Sequence, residues 1–305
     1  MAKMMTPEMQ KINRRLAREN RGRQGKPSSP GREAWLRLKR NRLAVIGMVI
    51  LALLVFIAIF AKWLAPYDYA TQDYSAVLLK PCAAHPFGTD NLGRDIFSRV
   101  IYGSRISLQV GLIAVSIAVV VGGTLGAIAA FYPKLDNIIM RFMDIFMAIP
   151  SLLMAIAITS ALGSGTRNLM IAVGLSSMPQ YARIMRASVL TVKDQEFIEA
   201  ASSIGASSFR TIVLHILPNA FAPLLVQATL GVGNAIMSAA TLSFLGLGIQ
   251  PPTPEWGSLL STGRNFIRQF WPMTIFPGLA IMLVVYALNI LGDGLRDALD
   301  PRLKN

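Results

Sequence analysis

Few side chains in this sequence could make or break bonds, and their spacing does not bring them together. Cys82 is the only cysteine, and His85 and His215 are the only histidines. A Cys82/His85 pair is at most half a metal site, so no metal is expected to bind, and one cysteine cannot form a disulfide within the chain. Ser164 lies between glycines, but nucleophilic catalysis needs a base beside it. The topology argued below puts His215 on the other side of a membrane. The only Gly-Lys pair, Gly25-Lys26, is followed by Pro27 and lacks the upstream glycine of a phosphate-binding loop. No catalytic residue and no ATP site are expected. Two charge pairs can be drawn by helical spacing: Asp95 with Arg99, and Arg141 with Asp144.

The elements behind these residues are long apolar runs. Apolar residues make up 53% of the 305 and charged residues only 15%, where a soluble fold carries nearer a quarter of charged residues. Leu43 to Ala65 holds a single charge, Lys62, and as a helix would be ~34 Å long, enough for a ~30 Å hydrocarbon layer. Six spans follow: Leu43 to Ala65, Ile106 to Phe131, Ile138 to Leu162, Asn168 to about Leu190, Phe221 to Leu247, and Trp271 to Leu291. The fourth is the weakest, interrupted by Pro179, Arg183 and Arg186. Gly122, Gly123 and Gly126 would let helices approach closely. The fold class is all-α, a polytopic membrane protein.

The net charge of +14 is mostly topological. Residues 1–42 hold 13 Lys or Arg against Glu8, Glu19 and Glu33, which places +10 in that tail. No aromatic interleaves the basic residues up to Lys26, so nucleic acid is not expected as a partner. An anionic membrane surface is. Forty-two residues ahead of the first apolar run are too many for a signal peptide, and the tail should stay in the cytoplasm. Six crossings then return the C-terminus inside and make the loop after the fourth span cytoplasmic. Trp63, Tyr67, Trp256 and Trp271 fall at the expected outer interfaces, where amphipathic rings prefer to sit.

That loop carries Glu199-Ala200-Ala201, three residues, Gly205, and then Leu217-Pro218. It resembles the EAA loop of permease subunits in bacterial binding-protein-dependent ABC importers: E-A-A, three residues, G, nine residues, I, one residue, L-P. The departure is at His215, with the isoleucine shifted to Ile216. Further stretches resemble the dipeptide/oligopeptide/nickel branch of that family. They are Phe87 to Asp95 (FGTDNLGRD), Leu242 to Gly248, Gln250 to Gly257, and the C-terminal Gly292 to Pro301 (GDGLRDALDP). The resemblance implies a type-1 permease fold in the inner membrane, with residues 1–34 as a basic tail. Residues 35–105 would hold the first span and an extracytoplasmic segment, and 106–305 the permease core with its coupling loop at about 191–220. It also implies a second homologous permease subunit, two ATPase subunits that use ATP and Mg, and an extracytoplasmic binding protein. Short peptides are the expected cargo, with nickel, glutathione or opine-like solutes as alternatives.

The physics of the loop suits docking to a motor. Ala200, Ala201, Ala206 and Ser207 are small enough for close approach. Gly205 permits a sharp change of direction. Ile204 and Phe209 could be apolar anchors, and Glu199 could pair with a basic group. In the fifth span Gln227, Gly231, Asn234, Ser238 and Thr241 share a stripe roughly 80° wide. Polar groups inside a membrane face the bundle or a wet cavity, so this stripe is the candidate pore face. An ion-coupled secondary transporter is a distant alternative. It would need its own ion site, usually within internal repeats, and no repeat is evident.

Overall fold

The computed structural model describes residues 30–299. The tail before Pro30, and Asp300 and Pro301 of the C-terminal motif, lie outside the described residues, as do the side chains of Ser202, Ser208 and Phe209. Among the described residues the architecture is helical, with one isolated β-bridge between Thr89 and Asp95.

The chain starts with a short helix, α1 (Pro30–Arg40), and turns at Asn41 into α2 (Arg42–Ile59). The Asn41 side chain accepts from the amides of Leu43 and Ala44, a helix cap that fixes the turn. A break at Phe60 leads to α3 (Ala61–Leu64), so the first expected span ends in two pieces. An irregular segment then runs to α4 (Ile96–Phe131), followed by α5 (Pro133–Met147), α6 (Ser151–Leu162) and α7 (Thr166–Lys193). After α8 (Glu196–Ser203), α9 (Ser208–Thr211) and a π-helical turn (Ile212–Ile216) come α10 (Leu217–Phe244), α11 (Trp256–Gly263) and α12 (Pro272–Leu299).

Among the described residues four helical segments are long and apolar enough to cross a membrane: α2, α4, the π turn with α10, and α12. A fifth is added if α5 and α6 count as one span; they meet at 90°. The expected third span is therefore not straight. Pro150 disfavours helical backbone at Ile149, and the chain turns there. The expected fourth span is one unbroken helix of 28 residues in spite of Pro179, but Arg167, Arg183, Arg186 and Lys193 make it the most polar long helix.

Close approach of small residues holds α4 to α7. Ala114 meets Gly174, Gly122 meets Met178, and Gly126 meets Ala182, so the two helices run parallel. A Cβ on Gly126 would overlap the Ala182 carbonyl. Parallel neighbours need the chain between them to return, which the bent α5–α6 pair does. Gly123 instead faces Leu224 of α10. Around these contacts lies the main apolar core, with Val110, Ala118, Val173, Met185, Val189 and Leu224 buried.

The start of α4 is tied down by buried charge. Asp95 caps the helix, its Oδ2 accepting from Ser98 N at 2.7 Å, which moves the helix start well ahead of Ile106. The expected Asp95–Arg99 pair does not form, because Asp95 is used as a cap and holds His85 Nδ1 at 2.9 Å. Arg94 Nε donates to Asp90 Oδ2 at 2.6 Å, and Arg99 Nε lies 3.7 Å from the same oxygen. Arg99 Nη1 donates to the Tyr69 carbonyl at 2.8 Å. Glu255 caps α11, accepting from Gly257 N at 2.8 Å and Ser258 N at 2.9 Å. Trp256 is not an interfacial anchor. It is 1% exposed, because α11 folds back into the bundle and Trp256 Nε1 donates to the Val100 carbonyl at 3.0 Å. Trp63, Tyr67 and Trp271 are exposed.

Candidate functional site: an exposed bend and an open polar cleft

The parallel run of α4 and α7 puts residues 194–211 at the end of the bundle opposite the buried charges. Helix α8 closes with a Schellman motif: Ala206 N donates to Ala201 O at 3.1 Å, with Gly205 between at φ +84°. A glycine takes this left-handed conformation at no steric cost. Ser207 then starts α9, its Oγ accepting from Arg210 N at 3.4 Å. Ile198 is buried in the main core and anchors α8. On the free side Glu199, Ala200, Ser207 and the bend itself are exposed, and Ala201 and Ala206 are half-buried. Ile204 is 86% exposed, an unusual position for a large apolar side chain, and Phe197 of α8 is exposed as well. Glu199 makes no ion pair among the described residues. The side chain of Phe209 lies outside the described residues.

The joint between this bend and α10 is a π turn, in which Leu217 N donates to Ile212 O. Pro218 has no N–H to give the Leu214 carbonyl, which removes the i→i−4 bond that would continue an α-helix there. His215 sits in this turn, half-buried, its carbonyl accepting from Asn219 Nδ2 at 2.7 Å.

An open cleft of about 630 Å³ lies between the α5–α6 break, α7 and α10. The candidate pore stripe divides over it. Asn234, Ser238 and Thr241 line the cleft with Met237. Gln227 and Gly231 are not brought to it; they pack against Tyr181, whose hydroxyl donates to the Gln227 carbonyl at 3.4 Å and fills the space beside Gly231. The opposite wall is Ser176, Ser177, Pro179 and Gln180 of α7, with Met147, Ile149, Pro150, Ser151 and Leu152 at the break. Sequence reasoning missed this wall. Ser176, Ser177, Gln180 and Arg183 recur at helical spacing, a stripe obscured by the proline and arginines among them.

Below the cleft, α5 and α7 carry facing charges. Asp144 pairs with Arg183 at 2.5 Å and not with Arg141, because α7 lies across from that turn of α5. Asp136 and Arg186 form a two-pronged pair, Nε to Oδ1 and Nη2 to Oδ2, each 2.5 Å.

Helices long and apolar enough to span, with a broken helix over a polar cleft and an exposed bend at one end, define a helical membrane protein. Residues 122–305 match the family described as binding-protein-dependent transport system inner membrane component, and residues 29–81 match the N-terminal TM domain of oligopeptide transport permease C. The dipeptide transport system permease protein DppC of Alkalihalophilus pseudofirmus is 50% identical over 278 residues, 91% of each chain. The di/tripeptide transport system permease protein DppC of Pseudomonas aeruginosa is 46% identical, covering 91% of this chain and 94% of that one. The glutathione transport system permease protein GsiD of Escherichia coli is 46% identical, covering 90% and 92%. Among solved structures, the inward-facing MetNI methionine ABC transporter matches with a TM-score of 0.54 at 16% identity, over 66% of this chain and 96% of that one. An amino acid ABC transporter matches with a TM-score of 0.52 at 18% identity, over 66% and 94%. At such identities the likeness is one of fold, that of an ABC importer permease. This chain belongs to the family of binding-protein-dependent transport system inner membrane components, and its place is the inner membrane.

Proposed function

We propose that this chain is a pore-forming subunit of an ATP-binding-cassette importer that takes up short peptides. It would work with a second homologous permease subunit, two ATPase subunits and an extracytoplasmic binding protein. ATP and Mg would be used by the ATPases, and this chain would bind neither. The bend at Glu199 to Ser207 is the docking arm for an ATPase, on the cytoplasmic side with both chain termini. Its carrying observation is Ile204, held out at 86% exposure by a glycine-closed helix end that no described residue covers. Motor closure would push this arm, and the π turn would pass the displacement to α10, which lines the cleft. Peptide cargo is supported by the 50% identity to a dipeptide permease.

The test is uptake by the complete transporter in proteoliposomes. Labelled dialanine should enter only with ATP and the binding protein present. Uptake that proceeds without ATP on an ion gradient would replace this proposal with a secondary transporter. Glutathione is a second cargo to measure, given the 46% identity to a glutathione permease. Glutathione uptake in the absence of dialanine uptake would reassign the cargo.

A further inference from the structure

The cleft must be wet. At the α5–α6 break the backbone leaves its helix within a pair apolar enough to lie in a membrane, as a broken span or a re-entrant loop, and such backbone is tolerated there only where protein buries it or water reaches it. Here Ile149, Pro150 and Ser151 line an open cleft. Yet among the described residues no charged side chain lines it, although charged pairs stand just below. Besides the hydroxyls of Ser151 and Ser238, its polar groups are of two kinds. The hydroxyls of Ser176 and Ser177 both donate to the Val173 carbonyl at 3.0 Å, and that of Thr241 donates to Met237 O at 2.9 Å. With their hydrogens used in their own helices, these oxygens offer only lone pairs to the cleft. The amides of Asn234 and Gln180 have no hydrogen bond among the described residues and are free to donate.

We infer that the cleft holds the peptide in transit by its two charged ends and that its uncharged lining sets the tolerance for side-chain charge. This rests on the peptide-import proposal and deepens it. The cargo ammonium is received by the hydroxyl oxygens of Ser176, Ser177 and Thr241, and the carboxylate by the amide N–H groups of Asn234 and Gln180. Asn234 and Thr241 lie ~10 Å apart along α10, against a length of roughly 7–10 Å for two or three extended residues. A lining without charge contributes no Coulomb preference between cationic and anionic peptides, so their rates stay comparable. A carboxylate placed there would break that balance, because at contact distance a unit charge in a narrow wet cleft still attracts or repels a cargo charge more strongly than it would in bulk water.

The experiment uses the full transporter in proteoliposomes, with Ala-Ala, Lys-Ala and Glu-Ala each saturating the binding protein. The unaltered transporter should move all three at comparable rates. Asn234→Asp should raise the ratio of Lys-Ala to Glu-Ala uptake about tenfold, and Asn234→Lys should lower it as much. An unchanged ratio in Asn234→Asp, with ATP hydrolysis still stimulated by the binding protein, overturns the inference. If Asn234→Asp does not assemble, Gln180→Glu decides by the same ratio, since Gln180 is exposed on the facing helix. An unaltered transporter that moves none of the three overturns the peptide proposal and this inference with it. One that moves them, with a ratio indifferent to both variants, overturns this inference alone.

Discussion

The two ends of the bundle are built on opposite plans. At the start of α4, Asp90, Arg94, Arg99, Asp95 and Glu255 are all buried, and each meets a partner inside the chain. At the other end, the segment from Glu196 to Thr211 anchors itself by Ile198 and leaves Phe197, Glu199 and Ile204 exposed. The first end is completed within the chain, and the second leaves large apolar side chains exposed, where the docking arm is proposed. Stability and function should therefore separate by mutation, one at each end.

The largest effect belongs to Asp90→Ala. It leaves Arg94 and Arg99 buried beside no carboxylate partner of their own, a loss of about 3–5 kcal/mol for a broken buried pair. Little folded protein should remain, read as abundance in membranes and melting in detergent. Normal abundance would show that solvent reaches this cluster. Gly205→Trp should do the reverse. Nothing stands within 4 Å of a Cβ there, so the strain is local, about 1–2 kcal/mol for a left-handed non-glycine residue. Protein should insert normally, while stimulated ATP hydrolysis and uptake fall about tenfold, as for a lost interface hot spot. Ile204→Ser sharpens the point with less disturbance. Melting should move by no more than about 0.5 kcal/mol, as at an ordinary surface site. Uptake should drop roughly fivefold if that side chain is an anchor. A fall in stability equal to the fall in uptake would place Ile204 in this chain's own packing.

Much of the open end is legible in sequence because its chemistry is local. Glu199 to Gly205 reads as a small-residue helix closed by glycine, and a Schellman motif needs no distant partner. The closed end is not legible in the same way. Helical spacing pairs Asp95 with Arg99, but the irregular segment before α4 folds back and gives Asp95 to the helix cap and Arg99 to Asp90 and Tyr69. Trp256 looks like an interface residue until α11 is seen to re-enter the bundle. Hydropathy draws the third span straight, although Ile149-Pro150 is a local signal for its bend. The cleft is half legible. The α10 wall follows from the stripe at Asn234, Ser238 and Thr241. The α7 wall follows only from knowing that Pro179 leaves that helix whole. Gly231 illustrates the limit of periodicity, since a large neighbour, Tyr181, takes the space that the stripe assigns to the pore.

The smallest effects fall between the two ends, where α5 and α7 carry two ion pairs of different quality. Arg183 and Asp144 are 47% and 53% exposed, and their contact is through a single nitrogen. Such a pair contributes ~0–1 kcal/mol and is screened by salt. Arg186 and Asp136 are 33% and 21% exposed and meet through two parallel bonds, which fix geometry and strengthen the contact. Arg183→Gln should therefore shift melting by less than ~1 kcal/mol, and by less still at high salt. Arg186→Gln should cost more and keep more of that cost when salt is added. Melting curves of both variants at low and high salt would decide. Equal losses that disappear together with salt would mean that both pairs behave as solvated surface contacts, and that α5 is held to α7 by its apolar residues, Met143 against Met178 and Ala182.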